Sequence, residues 1–204
     1  MPLSTEHKAR TREQIVSGAA GLMRRHGPSG IGVAQVMKQA GLTHGGFYAH
    51  FASKDELVAA AFEAAVVESG HNLTDGLEDL EPAEQLRHYV GRYLSRAHRD
   101  NPGEGCPLTA LGSELSRGGP GARQGFEHGM RKLMEGFAKV LPAASTATNN
   151  DGSNALDDDD RVLNLMSTMV GGLMMSRAVE DQTFSDHILR TTRRAVLDAA
   201  GVQQ

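Results

Sequence analysis

The sequence has little of several things. It holds one cysteine, no tryptophan, and only three tyrosines and six phenylalanines among 204 residues. One cysteine cannot close an internal disulfide or build a multi-thiolate metal centre within one chain. No stretch approaches the roughly 18 apolar residues of a membrane span; the most apolar, Leu163 to Val179, is broken by Asn164, Ser167, Thr168, Ser176 and Arg177. The first residues show no apolar core of a secretory signal. Alternating strand patterns are missing. So are a glycine-rich phosphate loop after a strand, Gly-x-Ser-x-Gly and His-Glu-x-x-His, which removes the common hydrolase and transferase readings. The resulting expectation is a cytoplasmic, non-enzymatic protein with no membrane partner, no metal and no cofactor, long enough to bury about 70% of its unfolded surface.

What is present is an uneven charge. The formal net charge is -4. Residues 1–54 nevertheless carry Lys8, Arg10, Arg12, Arg24, Arg25, Lys38 and Lys54 against only Glu6 and Glu13. The acidic excess lies in the remainder. A basic head on an acidic body points to a polyanion partner for the head alone, since distant charge is screened within about 10 Å.

The periodicity is helical almost throughout. Ile15, Ala19, Leu22 and Met23 share a face of a helix over 8–26 that Gly27 and Pro28 end. Short helices follow over 33–40, stopped by Gly41, and from Thr43, a candidate cap, to His50. Ser53-Lys-Asp-Glu56 is a capping box opening a long helix from 54 to between Ser69 and Leu77. Further helices are expected over 82–100, 106–116, 122–140, 161–180 and 184–200. The spacing therefore predicts an all-α, nine-helix fold in two domains, 1–52 and 53–204, with a mobile loop over 142–160. The Asp157–Asp160 run reads as a solvated run at a helix start rather than a metal site.

The pair of short helices around the Gly41-Leu42-Thr43 turn fits helix-turn-helix geometry, whose second helix enters the major groove of DNA. Phe47 and Phe51, four apart, both face inward and fasten that helix to the first. His44, Gly45, Gly46, Tyr48 and His50 then point elsewhere. Two glycines in so short a helix each cost about 1 kcal/mol against alanine, poor material for a scaffold and good material for close approach of backbone to DNA, though glycine pairs also occur in turns.

The run from Ile31 to Leu57, with Ala40-Gly41, Gly45, Tyr48, His50-Phe51, Lys54 and Leu57 in place and Arg12-Glu-Gln-Ile15 ahead of it, resembles the TetR (tetracycline-repressor-like) family of bacterial regulators. Gly32 departs from the pattern, where members often carry a Ser or Thr cap. The resemblance implies an N-terminal reading head and a C-terminal effector and dimerisation body. It assigns Tyr48, His50 and Lys54 to phosphate contacts, Thr43 and His44 to the groove, Gly46 to close approach of the backbone, and Arg10 and Thr11 to backbone or minor-groove contacts, with Gly45 also among the DNA-binding residues.

The resemblance also implies a homodimer on a palindromic double-stranded DNA operator, built by the last two helices. Leu163, Met166, Val170, Gly171, Leu173, Met174, Ile188, Leu189, Val196 and Leu197 are its candidates, and the same residues also fit an ordinary core. An unidentified small-molecule effector is expected against Phe62, Tyr89, Tyr93, Cys106, Leu111, Phe126, Met130, Met134 and Met169, though such a stripe also reads as plain core. His88, His98 and His128 add possible polar contacts. Cys106 is expected in the first turn of a helix, where amides make a thiol more reactive. The function implied is a transcriptional repressor released by its effector, with an activator or a Cys106-based electrophile or redox sensor as the alternatives.

Overall fold

The computed structural model describes residues 5–143 and 158–203. Residues 144–157, most of the loop expected over 142–160, lie outside the described residues. The described residues form α1 (Thr5–Gly30), α2 (Val33–Gln39), a 3-10 segment (His44–Ala49), α3 (Lys54–Thr74), α4 (Pro82–Tyr93), α5 (Arg96–Asp100), a second 3-10 segment (Pro102–Glu104), α6 (Pro107–Leu115), α7 (Pro120–Ala138), α8 (Asp158–Ala178) and α9 (Gln182–Ala199). The fold is all-α with nine α-helices among those residues. None of them is long and apolar enough to cross a membrane.

Two short stretches depart from the expected helices. The second helix of the turn motif is a 3-10 segment, and Thr43 makes no side-chain cap bond. Instead its carbonyl accepts from Gly46 N at 3.1 Å, a three-residue closure that suits a glycine pair. The helix expected over 82–100 is broken at Leu94 and Ser95. Ser95 leaves the helix, accepts from His98 N at 3.1 Å and donates to Arg92 O at 2.8 Å, so it starts α5 as a cap.

The chain divides into two compact units. The first holds Met1–Ser69 and Pro102–Gly129. Its core joins Ile15, Ala19 and Met23 of α1 to Val36, Met37, Phe47, Phe51 and Leu57, all buried. Val16, Ala20 and Arg24 form a second i, i+4 line on α1, and α1 also packs on α6 and on the Pro102–Glu104 turn. Arg24 is buried there. Its Nη1 donates to Gly105 O at 3.1 Å and its Nη2 reaches Glu68 Oε2 of α3 at 2.5 Å. The exposed Arg25 side chain lies over Gly103, where an added Cβ would have to push it aside.

The second unit holds Gly70–Asn101 and Met130–Gln204. α8 and α9 pack closely where Gly172 meets Thr192, a contact that a Cβ at Gly172 would obstruct. Arg99 staples α5 to this pair: it is buried, donates to Ser185 Oγ at 2.8 Å and Asp186 Oδ1 at 2.9 Å, and pairs with Asp100 at 2.7 Å. Arg177 of α8 returns the connection by donating to His98 O at 2.7 Å and Arg99 O at 3.1 Å.

Gly27 interrupts α1 with φ 75° and ψ 161°, a conformation essentially confined to glycine. A Cβ here would also overlap the Glu114 carboxylate, which accepts from Ser29 N at 2.8 Å. Gly27→Ala is therefore expected to destabilise the protein by about 1–3 kcal/mol, the usual cost of such strain. Thermal melts followed by circular dichroism measure it, at roughly 2–4 °C for each kcal/mol in a chain of this size.

Candidate nucleic-acid interface

The candidate reading surface is the 3-10 segment and the residues that hold it. Three residues per turn place i and i+3 in line. One line is His44, Phe47 and His50; Phe47 is fully buried and stacks on Phe51 at 5.6 Å between ring centres. The next line is Gly45 and Tyr48, both outward. Tyr48 is 73% exposed, with its ring edge-on to Phe47 at 5.2 Å. A Cβ on Gly45 would meet nothing within 4 Å, whereas one on Gly46 would lie 3.6 Å from Met37 Cε. Open backbone is thus at Gly45, and Gly46 packs toward α2.

The start of α3 is held by the capping box. Ser53 Oγ accepts from Glu56 N at 3.1 Å, and Glu56 reaches one residue further back than the usual box, accepting from Ala52 N at 2.7 Å. The other Glu56 oxygen meets Arg12 of α1 at 3.5 Å. Arg12 also lies over the Phe51 ring, 4.8 Å from its centre. One arginine thereby ties α1 to both the end of the 3-10 segment and α3, with Lys54 half-buried at the first position of that helix.

The remaining candidates are placed differently. His44 and Thr43 are exposed. Arg10 is exposed and borders a surface groove with Glu13, Gln14, Ser17, Gln39 and Ala40. Thr11 is buried and donates to His7 O of its own helix at 2.8 Å, so its hydroxyl is turned away from solvent. Gly32 stands at the start of α2 without a side-chain cap bond, as its missing hydroxyl requires.

His50 is half-buried, and its Nδ1 is shielded with no hydrogen-bond partner. Burial, and then the nearby Lys8 and Arg12 charges, hold its pKa below the ordinary histidine value. The same cations set a positive field beside the 3-10 segment.

The candidates of the body fall into both units. Phe62, Cys106, Leu111 and Phe126 belong to the first, with the Phe62 and Phe126 rings 6.0 Å apart. Cys106 is buried at the cap position just before Pro107, one step earlier than the first turn expected for it. Tyr89, Tyr93, Met130, Met134 and Met169 belong to the second. Tyr89, Tyr93 and Met169 are buried.

Within the α8–α9 pair, Met166, Leu173, Leu189, Val196 and Leu197 are buried inside the chain itself. Val170, Gly171 and Ile188 are half-buried, while Leu163 and Met174 are exposed. Phe184 and Met175, which periodicity did not single out, are 53% and 52% exposed. Leu163, Ser167, Val170, Gly171 and Met174 make one stripe along α8, and Phe184, Ile188, Thr191 and Ala195 make one along α9, at spacings of three and four. Phe184 stands four residues before Ile188, the spacing that could have revealed it.

Residues 15–61 match the family model for bacterial regulatory proteins of the tetR family, and residues 82–192 match that for the tetracyclin repressor-like C-terminal domain. The HTH-type transcriptional regulator LmrA of Bacillus subtilis is 25% identical over 180 residues, 87% of this chain and 92% of its own length. Among solved structures, a TetR-family transcriptional regulator from Cytophaga hutchinsonii superposes with a TM-score of 0.76 at 19% identity, covering 100% of this chain and 98% of its own. The reduced form of NemR from E. coli gives 0.73 at 20% identity, covering 93% and 96%.

The depressed pKa of His50 has a consequence for pH. The unfolded chain takes up the His50 proton more readily than the folded one. His50 therefore contributes its full stability above the ordinary histidine value, and that contribution is lost as pH falls toward the lowered folded value. Thermal melts between about pH 7.5 and about pH 5.5 should show His50→Gln losing less stability on acidification than the parent chain.

Proposed function

Because the chain belongs to the TetR family of bacterial regulatory proteins, we propose that it is a transcriptional repressor that binds a palindromic DNA operator as a homodimer and leaves it when a small-molecule effector binds. The observation that carries the reading is the outward Gly45–Tyr48 line on a segment anchored by Phe47, Phe51 and Arg12. Rigid anchoring suits a surface that must enter a groove, and the field of Lys8 and Arg12 suits phosphates. In this reading Tyr48, His50 and Lys54 position the head on the backbone. Thr43 and His44 meet base edges, Gly45 gives close approach, and Arg10 meets the neighbouring backbone. An operator read by two heads needs them about 34–36 Å apart. An effector that prefers another spacing lowers affinity by that preference and no more.

The dimer proposal rests on the two exposed stripes of α8 and α9. Gly171 lies in the α8 stripe, and a Cβ there would meet nothing within 4 Å of its own chain. Gly171→Leu should leave the monomer folded and help its helix by about 1 kcal/mol at most. In a four-helix interface it should raise the dimer dissociation constant at least about tenfold, or ~1.4 kcal/mol, as read by sedimentation equilibrium.

A second reading is favoured by one contact. Gly105, whose carbonyl accepts from the buried Arg24 of α1, directly precedes Cys106. A Cys106 modified by an electrophile could not keep its buried place, and the displaced Gly105 would release Arg24. Iodoacetamide treatment that lowers operator affinity in the parent chain and not in Cys106→Ser supports a thiol sensor; equal behaviour of the two rejects it.

A DNase footprint on the DNA upstream of the gene tests the main reading, with a protected near-palindrome as the expected result. On that site Lys54→Ala should weaken binding to all sequences alike and reduce the salt slope by about one. His44→Ala should change the preference among site variants. Uniform loss in both would remove His44 from base reading.

A further inference from the structure

α9 carries Asp186, Arg190 and Arg193 on one face, at spacings of four and three. Across from them stands the α4–α5 break, Leu94 to Ala97. With Leu189 these residues line an open cleft of about 440 Å³ within the second unit. At 3.6 residues per turn, positions 186, 190 and 193 fall on the opposite side of α9 from the stripe of Phe184, Ile188, Thr191 and Ala195. A dimer built on that stripe leaves the cleft open.

The cleft holds more positive charge than its acids match. Arg96 pairs with Asp186 through two bonds, and the buried Arg99 pairs with Asp100 while adding a bond to Asp186. Arg190 and Arg193 have no acidic partner among the described residues. Arg193 is half-buried, and its Nη2 donates to Leu94 O at 2.7 Å, the carbonyl that the helix break releases. Its Nε is shielded from solvent and has no acceptor. A shielded guanidinium donor without an acceptor is unfavourable in a finished structure, and a guanidinium fork fits a carboxylate or phosphate oxygen pair.

We propose that this cleft binds a small organic oxyanion, its phosphate or carboxylate head between Arg190 and Arg193 and its apolar part against Leu94, Ala97 and Leu189. The volume is that of a small-molecule site and exceeds the needs of a bare inorganic ion. Asp186, though matched, keeps a negative charge in the cleft and favours a single head group over a polyphosphate. None of the residues expected above to meet the effector lines this cleft.

Isothermal titration of the full chain with phenyl phosphate and with benzoate, at ionic strength fixed by chloride, tests it. Phenol serves as the neutral control. Saturable binding of one anion per chain is expected for phenyl phosphate, benzoate or both, with none for phenol; which anion binds tells phosphate from carboxylate. The Arg190 side chain is exposed and makes no hydrogen bond or ion pair with the rest of the described chain, so Arg190→Gln should fold normally and weaken binding at least tenfold. Arg193→Gln should do the same, its melting curve showing what loss of the Leu94 bond costs. The proposal is overturned if neither anion saturates, if phenol binds equally, or if Arg190→Gln loses less than tenfold.

Discussion

A buried guanidinium governs the first unit. Arg24 sits where α1, α3 and the turn ahead of α6 meet, and burying a charge is tolerable only where acceptors surround it. Glu68 supplies the opposite charge at 2.5 Å and Gly105 a carbonyl at 3.1 Å, while Nε stays shielded without an acceptor. Both acceptors must stay in place together, because losing either leaves a cation in a poorly solvated site. The pairing therefore fixes where α3 and the Gly103–Gly105 turn lie along α1. The Arg25 side chain lies over Gly103, and Gly27 interrupts α1 just where Glu114 of α6 comes alongside. The register of three helices follows from a few polar contacts laid over an apolar core.

Arg12 does for the 3-10 segment what Arg24 does for the other end of α1. It touches the Phe51 ring and the Glu56 carboxylate, so the 3-10 segment and the first turn of α3 share one anchor. Exposed pairs of this kind contribute little each. The value here is positional: with Phe47 and Phe51 buried beneath, Tyr48 and Gly45 have few other directions to face. The arrangement makes a rigid surface from a segment whose own helical propensity is poor.

Most of the architecture was legible in the spacing of apolar residues, and the head was legible in more detail. Ser53 and Glu56 announced the start of α3, Gly27 the interruption of α1, and Phe47 with Phe51 the inward face. Other features were hidden for identifiable reasons. Ser95 lies inside a pattern that reads as one helix, and only its bonds to His98 and Arg92 reveal a break. The buried Arg24 and Arg99 carry residue types that default to the surface, and nothing in one sequence says that Glu68 or Asp186 will arrive beside them. Periodicity also cannot divide an apolar helix between its own core and an outer stripe. That is why Leu173 and Met174 looked alike in sequence although one is fully buried and the other 53% exposed. The capping role expected for Thr43 failed because a glycine pair closed the turn more tightly than an α-helix would.

That tighter winding also sets a length scale. A 3-10 segment rises about 2.0 Å per residue against about 1.5 Å in an α-helix. Gly45 and Tyr48, three residues apart, are thus separated by about 6 Å along the axis, close to two base-pair steps of about 3.4 Å. An α-helical segment would set the same two positions about 4.5 Å apart and turn them off a common line. In the proposed complex, the winding of these six residues sets how far apart Gly45 and Tyr48 meet the DNA.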